Sequence, residues 1–306
     1  LSPSTPDPDG ARAGDGGPDL PPGRLVELPG LGELHVREAG RARAGEPTLV
    51  LLHGWTATAD LNWYPVYEPL ARRHHVIAAD LRGHGRGLRR PERFRLADCA
   101  DDVAALADQL GLSSIVPVGY SMGGLVAQLL WRRHRNRVAG LVLCATSRNF
   151  RETPGDHLFF NGLTGLAVAG RLAPPEVREQ LLARYLEVRI DQLDLGPWGS
   201  AELAGHDLRC LLEAGAAIGM FSSDRWIGGV DVPTAVVVTT ADTKIPPARQ
   251  RKLAASVPGA AVFEVDADHH ACPRRADRFV PALLDAVAHV VGAGRGVDGR
   301  ADSAAG

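Results

Sequence analysis

Aromatic residues are scarce, at 5% of 306 positions. Platforms that stack nucleobases need them, so base recognition is disfavoured. Neither charge dominates: 34 Lys and Arg stand against 36 Asp and Glu, a formal net charge of -2. That balance argues against nucleic acid or an anionic membrane as the main partner. The four cysteines, Cys99, Cys144, Cys210 and Cys272, lie far apart and form no Cys-x-x-Cys pair. They read as isolated, reduced core thiols. No run reaches about 18 apolar residues, so no membrane-spanning helix is expected. No basic segment followed by an apolar one opens the chain, so no signal peptide is expected and a cytoplasmic location is. Neither a metal-ligand cluster nor a Gly-x-Gly-x-x-Gly fingerprint is present, so the expected cofactor is none. The oligomeric state is not legible.

What the chain does have is apolar residues, 45% of the total, enough for a large core. The stretch Ser113–Val126 is the most informative. Its first half, Ile115-Val116-Pro117-Val118, suits a buried strand. From Met122 the apolar residues Met122, Leu125, Val126 and Leu129 follow a helical period. Between them stands Gly119-Tyr120-Ser121-Met122-Gly123. A strand that runs straight into a helix must turn sharply, and the residue at the apex is forced into a strained backbone. Glycines on both sides make room for that turn. The serine is pushed out at a helix N-terminus, where free N–H groups can stabilise an oxyanion. This strand–serine–helix arrangement is a nucleophile elbow. The bland alternative is a glycine-rich connection with a surface serine.

Around the elbow the chain alternates strand and helix. Arg24–Pro29 and Glu33–Glu38 read as a hairpin about Pro29-Gly30-Leu31-Gly32. Thr48–Leu52, Val76–Asp80 and Gly140–Ala145 are continuous apolar runs, as in parallel strands covered on both faces. Asn62–Arg73 and Leu96–Leu110 read as helices. The rhythm stops over 148–230, which reads as an inserted helical cap with Pro175–Val188 and Glu202–Met220 as its best helices. Gly162, Gly165 and Gly170 are candidate hinges there. The rhythm resumes with Thr234–Thr239, a helix over Pro247–Ser256, the strand Ala260–Val265 and a helix over Arg278–Val291. Residues 1–23 and 293–306 carry too little apolar surface to offset ordering entropy and are expected to be disordered. The core is then 24–147 with 231–292. Such alternation predicts an α/β fold with a mostly parallel central sheet and helices on both faces. Its site belongs at the carboxyl ends of the strands.

A serine hydroxyl needs a base, and the base an orienting acid. After Ser121 the first acid just past a strong strand is Asp242. The first histidines past the next strand are His269 and His270. The order Ser, Asp, His differs from the two other common triad orders. With His53-Gly54-Trp55, Asp80-Leu81-Arg82-Gly83-His84-Gly85, Gly119–Gly124, Asp242 with Pro246-Pro247, and His269 ten residues before Phe279, the chain resembles the α/β-hydrolase superfamily. The resemblance runs from about Arg24 to Val291 and falls in the esterase, perhydrolase and lipase-like branch. It implies an α/β-hydrolase fold with Ser121 as nucleophile, His269 as base, Asp242 as acid, and an oxyanion hole from the backbone N–H groups of Trp55 and Met122. The chain departs from the family pattern at Asp268 and Thr239, where Gly is usual, and at Ala276, where Pro is common.

Each feature has a plainer reading. His270 is the alternative base. His53 is usually structural in that family. Arg82-Gly83-His84-Gly85 resembles a phosphate loop but lacks its Gly-Lys-Ser/Thr ending and reads as a turn. Arg132-Arg133-His134-Arg135 suits a helix C-terminus rather than nucleic acid. Phe159, Phe160, Leu163, Trp198, Met220 and Phe221 either line a pocket or fill the cap's core. The expected function is hydrolysis of an ester, thioester or lactone of a small to medium hydrophobic substrate through an acyl-enzyme on Ser121. Perhydrolysis or carbon–carbon cleavage by the same triad is the alternative within enzymes. A ligand-binding homologue without turnover is the alternative of another class.

Overall fold

A computed structural model describes residues 17–301, apart from 175, 178, 179, 182, 183 and 185–195. Eight strands form one sheet in the order β1-β2-β4-β3-β5-β6-β7-β8. They are β1 (Gly23–Leu28), β2 (Gly32–Ala39), β3 (Thr48–Leu52), β4 (Val76–Ala79), β5 (Ile115–Tyr120), β6 (Leu141–Cys144), β7 (Thr234–Thr239) and β8 (Ala261–Val265). The hairpin β1–β2 is antiparallel, and so is the β2–β4 pair. The pairs from β4 through β3, β5, β6 and β7 to β8 are parallel. Every residue of β3, β4, β5, β6 and β7 is buried, as two-sided coverage requires. Alternate residues feed different cores: Leu49 and Leu51 join the cluster containing Phe279 and Leu283, whereas Val50 and Leu52 join the one containing Leu125 and Leu130. All four cysteines are buried and unpaired.

The α-helices whose bounds fall among the described residues are α1 (Ala59–Trp63), α2 (Tyr67–Ala71), α3 (Leu96–Gln109), α4 (Met122–Arg133), α5 (Pro154–Leu172), α6 (Gly196–Ala204), α7 (Leu208–Met220), α8 (Pro247–Ser256), α9 (Ala271–Arg274) and α10 (Ala276–Ala301). Several differ from the expected ones. The single helix read over Asn62–Arg73 is two, α1 and α2, because Pro65 has no N–H with which to carry the hydrogen-bond ladder past Tyr64. The helix read over Glu202–Met220 is broken at Gly205, and Asp207 starts α7 anew by accepting from the Cys210 N–H. Helix α5 was not singled out, although Thr153 and Asp156 form a full capping box at its start. Gly162, Gly165 and Gly170 lie inside it and do not act as breaks. The helix expected over Pro175–Val188 falls largely outside the described residues.

The ends also differ from expectation. Residues 17–22 are not loose: Leu20 packs on the core and Arg37 donates to the Pro21 carbonyl at 3.0 Å. The segment before residue 17 lies outside the described residues. At the other end α10 continues to Ala301, past the expected end at Val291 and into the 293–306 segment, of which 302–306 lie outside the described residues. Propagating an anchored helix costs far less than nucleating one. No helix among the described residues is long and apolar enough to cross a membrane.

Two glycine substitutions separate crowding from propensity. A Cβ on Gly123 would stand 2.1 Å from the Leu52 carbonyl oxygen, whereas one on Gly162 meets nothing within 4 Å. Gly123→Ala is expected to destabilise by about 2–3 kcal/mol or more through overpacking. Gly162→Ala is expected to stabilise by roughly 0.5–1 kcal/mol, since it removes a flexible residue from a helix interior. Urea unfolding of the two variants checks both signs.

Candidate active site

The turn from β5 into α4 sets the site. Ser121 has φ 51° and ψ -113°, a left-handed backbone that a side chain rarely adopts. The turn leaves no alternative, because a Cβ on Gly119 would stand 2.4 Å from the Gly123 carbonyl oxygen. Thr146 donates to the Ser121 carbonyl at 2.8 Å, and the Ser121 N–H reaches the Cys144 carbonyl at 2.9 Å. The backbone is thus held from both sides while the hydroxyl faces the cleft.

Asp242 follows β7 and His269 follows β8, at the same end of the sheet. Ser121 Oγ lies 3.1 Å from His269 Nε2, and His269 Nδ1 lies 2.7 Å from Asp242 Oδ2. The Asp242 carboxyl is buried, which alone would raise its pKa. Hydrogen bonding and charge from His269, the Ile245 N–H and the Thr239 hydroxyl outweigh that and hold it below the usual value. An ionised Asp242 accepts only, so His269 Nδ1 carries the proton and Nε2 is bare to accept from Ser121. Asp242 Oδ1 also accepts from Lys244 N and Ile245 N, at 2.8 and 2.9 Å.

The departures from the family pattern fit this arrangement. Thr239, where Gly is usual, donates its hydroxyl to Asp242 Oδ2 at 2.9 Å. Asp268 accepts from the His270 N–H at 2.8 Å, which fixes the turn in which both histidines sit. His270 stands edge-on to His269, ring centres 5.9 Å apart, and borders the cleft, but the hydrogen-bonded row runs through His269. Ala276, where Pro is common, opens α10.

Sequence reasoning missed Tyr120 and Gln250. The Tyr120 hydroxyl donates to the His269 carbonyl at 2.9 Å, and Gln250 reaches Thr239 Oγ1 at 2.9 Å and Asp242 Oδ2 at 3.3 Å. Tyr120 lay in plain view inside the elbow motif; for Gln250 no local signal existed.

Trp55 lies in the loop after β3. The Gly54 N–H donates to Asn62 Oδ1 at 2.9 Å, and Thr56 takes φ 61°. His53 sits beneath this loop, fully buried. It accepts from the Leu81 N–H at Nε2, so its Nδ1–H donates to the Gly54 carbonyl, at 2.8 Å for each bond. Met122 opens α4, so its N–H is among those that a first helical turn leaves without an intrahelical partner. The Met122 side chain is in the core.

A cleft of about 730 Å³ runs over Ser121 and His269. Trp55, Leu61, Tyr64, Trp198 and Leu203 form its apolar walls, and Arg274 stands at its edge. Of the six inserted residues considered for the pocket, only Trp198 borders this cleft. Phe160 and Leu163 are buried in the core, and Phe159 and Met220 are exposed. Phe221 packs on the core and, with Met220, edges a separate groove beside Phe94. The remaining motifs are structural. Arg82 pairs with Asp102 at 2.6 Å and Asp98 at 3.3 Å. Arg132 and Arg135 lie over Trp226 and Trp131, and Arg133 pairs with Asp101 at 2.7 Å.

The chain matches a family model described as alpha/beta hydrolase fold over residues 47–275. It is 32% identical over 241 residues to a pimeloyl-[acyl-carrier protein] methyl ester esterase of Chromobacterium violaceum. That match covers 74% of this chain and 87% of the esterase. It is 33% identical over 120 residues to the dihydrolipoyllysine-residue acetyltransferase component of the acetoin cleaving system of Cupriavidus necator. That match covers 39% of this chain and only 31% of the relative's length. The enol-lactonase from Burkholderia xenovorans superposes with a TM-score of 0.71 at 26% identity, covering 86% of this chain and 99% of that one.

Three buried histidines cluster under the loop: the His84 ring lies 5.2 Å from His53 and 5.5 Å from His206. Burial lowers the pKa of all three, that of His206 to about 4. The folded protein therefore binds fewer protons here than the unfolded chain, whose histidines titrate near 6.5. The stability this provides is complete above pH 6.5 and lost as pH falls from 6.5 towards 4. For His206 the loss is on the order of 3 kcal/mol. Urea unfolding from pH 7 to pH 4.5 should show stability falling, with a shallower slope in His206→Gln.

Proposed function

The chain belongs to the alpha/beta hydrolase fold family, and on that premise we propose that it is a serine hydrolase cleaving an ester, thioester or lactone through an acyl-enzyme on Ser121. The observation that carries the reading is the row Ser121 Oγ, His269 Nε2, His269 Nδ1, Asp242 Oδ2, with spacings of 3.1 and 2.7 Å. His269 Nε2 takes the Ser121 proton as Oγ attacks the carbonyl carbon. The carbonyl oxygen becomes an oxyanion, to which the N–H groups of Trp55 and Met122 donate. Each such donor is worth about 3 kcal/mol in the transition state. His269 then returns the proton to the leaving oxygen or sulfur. Water, deprotonated by the same histidine, releases the acid from Ser121. Asp242 keeps the Nδ1 proton in place and stabilises the imidazolium.

The relatives support the substrate class. One is named a methyl ester esterase and another an enol-lactonase. The cleft favours a small to medium acyl or alkyl group against Trp55, Tyr64 and Trp198. Phe160 and Phe221, which do not border the cleft, have no part in this reading.

Ser121→Ala is expected to leave the fold intact and lower ester hydrolysis at least about 10³-fold. A fluorophosphonate should label Ser121 in the wild type; labelling elsewhere, or an active Ala variant, overturns the mechanism. His269→Gln should lose nearly as much, while His270→Gln should keep most of the activity. Trp198→Ala should shift the preferred acyl length, by about 1 kcal/mol per methylene accommodated. The kcat/KM profile across an acyl series for both proteins measures it.

A further inference from the structure

Helix α6 belongs to the inserted segment, yet its Glu202 reaches into the core beneath the cleft, with 12% of the side chain exposed. Thr58 donates its hydroxyl to Glu202 Oε2 at 2.8 Å, and Arg86 Nη2 lies 3.3 Å from the same oxygen. Thr58 is itself fixed. It caps α1 by accepting from the Leu61 N–H at 3.1 Å, and it closes the loop Trp55–Ala57. One turn before Glu202 on α6 stands Trp198. Its ring meets Tyr64 edge-on, centres 5.6 Å apart, and both border the cleft. Just beyond the helix, His206 Nδ1 accepts from the Gly85 N–H at 2.9 Å, and Arg89 donates to the Gly205 carbonyl. The cleft wall and the loop carrying Trp55 therefore meet at one carboxyl group.

We infer that Glu202 is a positioning residue, which through Thr58 and Arg86 holds the wall helix α6 and the Trp55 loop in one arrangement. Its importance for turnover rests on the Ser121 reading above; the lock itself does not.

The charges around Glu202 make the proton part of the lock. Asp60 of α1 and Asp80 at the end of β4 face it, together with Arg86 of the following loop. Arg37 and His35 of β2 and Tyr67 of α2 complete the group around Asp60. Arg86 is shared: it lies 2.7 Å from Asp60 and 3.6 Å from Asp80. A third carboxylate in this place is disfavoured. Burial first, then Asp60 and Asp80, raise the Glu202 pKa to about 7 against the opposing pull of Arg86 and the Thr58 hydrogen bond. A glutamate released from the contact titrates near 4.5. The docked helix thus holds the proton more tightly than the undocked one. Docking is strongest at low pH and weakens as pH rises through 7, by about tenfold between pH 6 and pH 8.

Hydrogen exchange of the full-length protein tests this without a substrate. After correction for intrinsic exchange, protection of amides 198–206 in the wild type should fall about tenfold from pH 6 to pH 8. Glu202→Gln, a permanent stand-in for the protonated acid, should keep the pH 6 protection at both values. Glu202→Ala should lose protection at both, and amides 55–58 should lose it too. Fluorophosphonate labelling of Ser121 in the same samples should slow in Glu202→Ala and recover in Glu202→Gln. The inference is overturned if Glu202→Gln keeps the wild-type pH dependence, or if amides 55–58 do not respond to Glu202→Ala. Absence of labelling in every sample, with the exchange pattern as expected, would instead overturn the hydrolase reading and leave the lock standing.

Discussion

Crowding at the turn between β5 and α4 is the constraint from which the site follows. The chain reverses in a space where Gly119 meets the Gly123 carbonyl and Gly123 meets the Leu52 carbonyl, each too close for a Cβ. That closeness drives Ser121 into its left-handed backbone and lifts its hydroxyl out of the sheet. The same closeness sets Ser121 beside the loop after β3, because the atom nearest to Gly123 belongs to β3 itself. Ser121 and the Trp55 loop are thus placed by one packing contact rather than by two independent ones. The acid follows β7 and the histidine β8, so strand order brings both to the same end of the sheet as the turn, and hydrogen bonds to Asp242 and from Tyr120 to the His269 carbonyl fix them there.

Beneath the loop, polar groups do the holding. His53 spans the Gly54 carbonyl and the Leu81 N–H, and Asp80 accepts from the N–H groups of Ala59 and Arg86. Buried polar groups tie down backbone more tightly than apolar contacts do, because each orphaned partner would be costly. They also make this part of the molecule sensitive to protons, in opposite senses: the histidines favour the fold at higher pH and Glu202 favours it at lower.

The strands and the Ser121–His269–Asp242 row were legible because each rests on short-range pattern. A continuous apolar run marks a covered strand, and the acid and the histidine follow the last two strands in order. The inserted segment was read less well. Gly162, Gly165 and Gly170 look like hinges, but all three lie within α5: the first two face open space, and Gly170 makes room for Leu212 of α7, as Gly219 of α7 does for the Phe160 ring. That closeness buries Phe160 and Leu163 and turns Phe159 outward, and no local periodicity reports it. Trp198 reaches the cleft from α6, whose contacts to Thr58, Arg86 and Tyr64 are with residues far away in sequence. Short helices split by Pro65 and Asp207 show the same limit: periodicity finds the apolar face, and a single proline or cap decides where the helix stops.

Trp198 and Glu202 stand four residues apart on a short helix, one facing the cleft and the other fastened below it. A residue inserted between them would swing one about 100° around the axis relative to the other. Either the wall or the fastening would then lose its place, whatever the new residue was. The length of α6 between these two positions therefore constrains the wall as much as the identity of either side chain does.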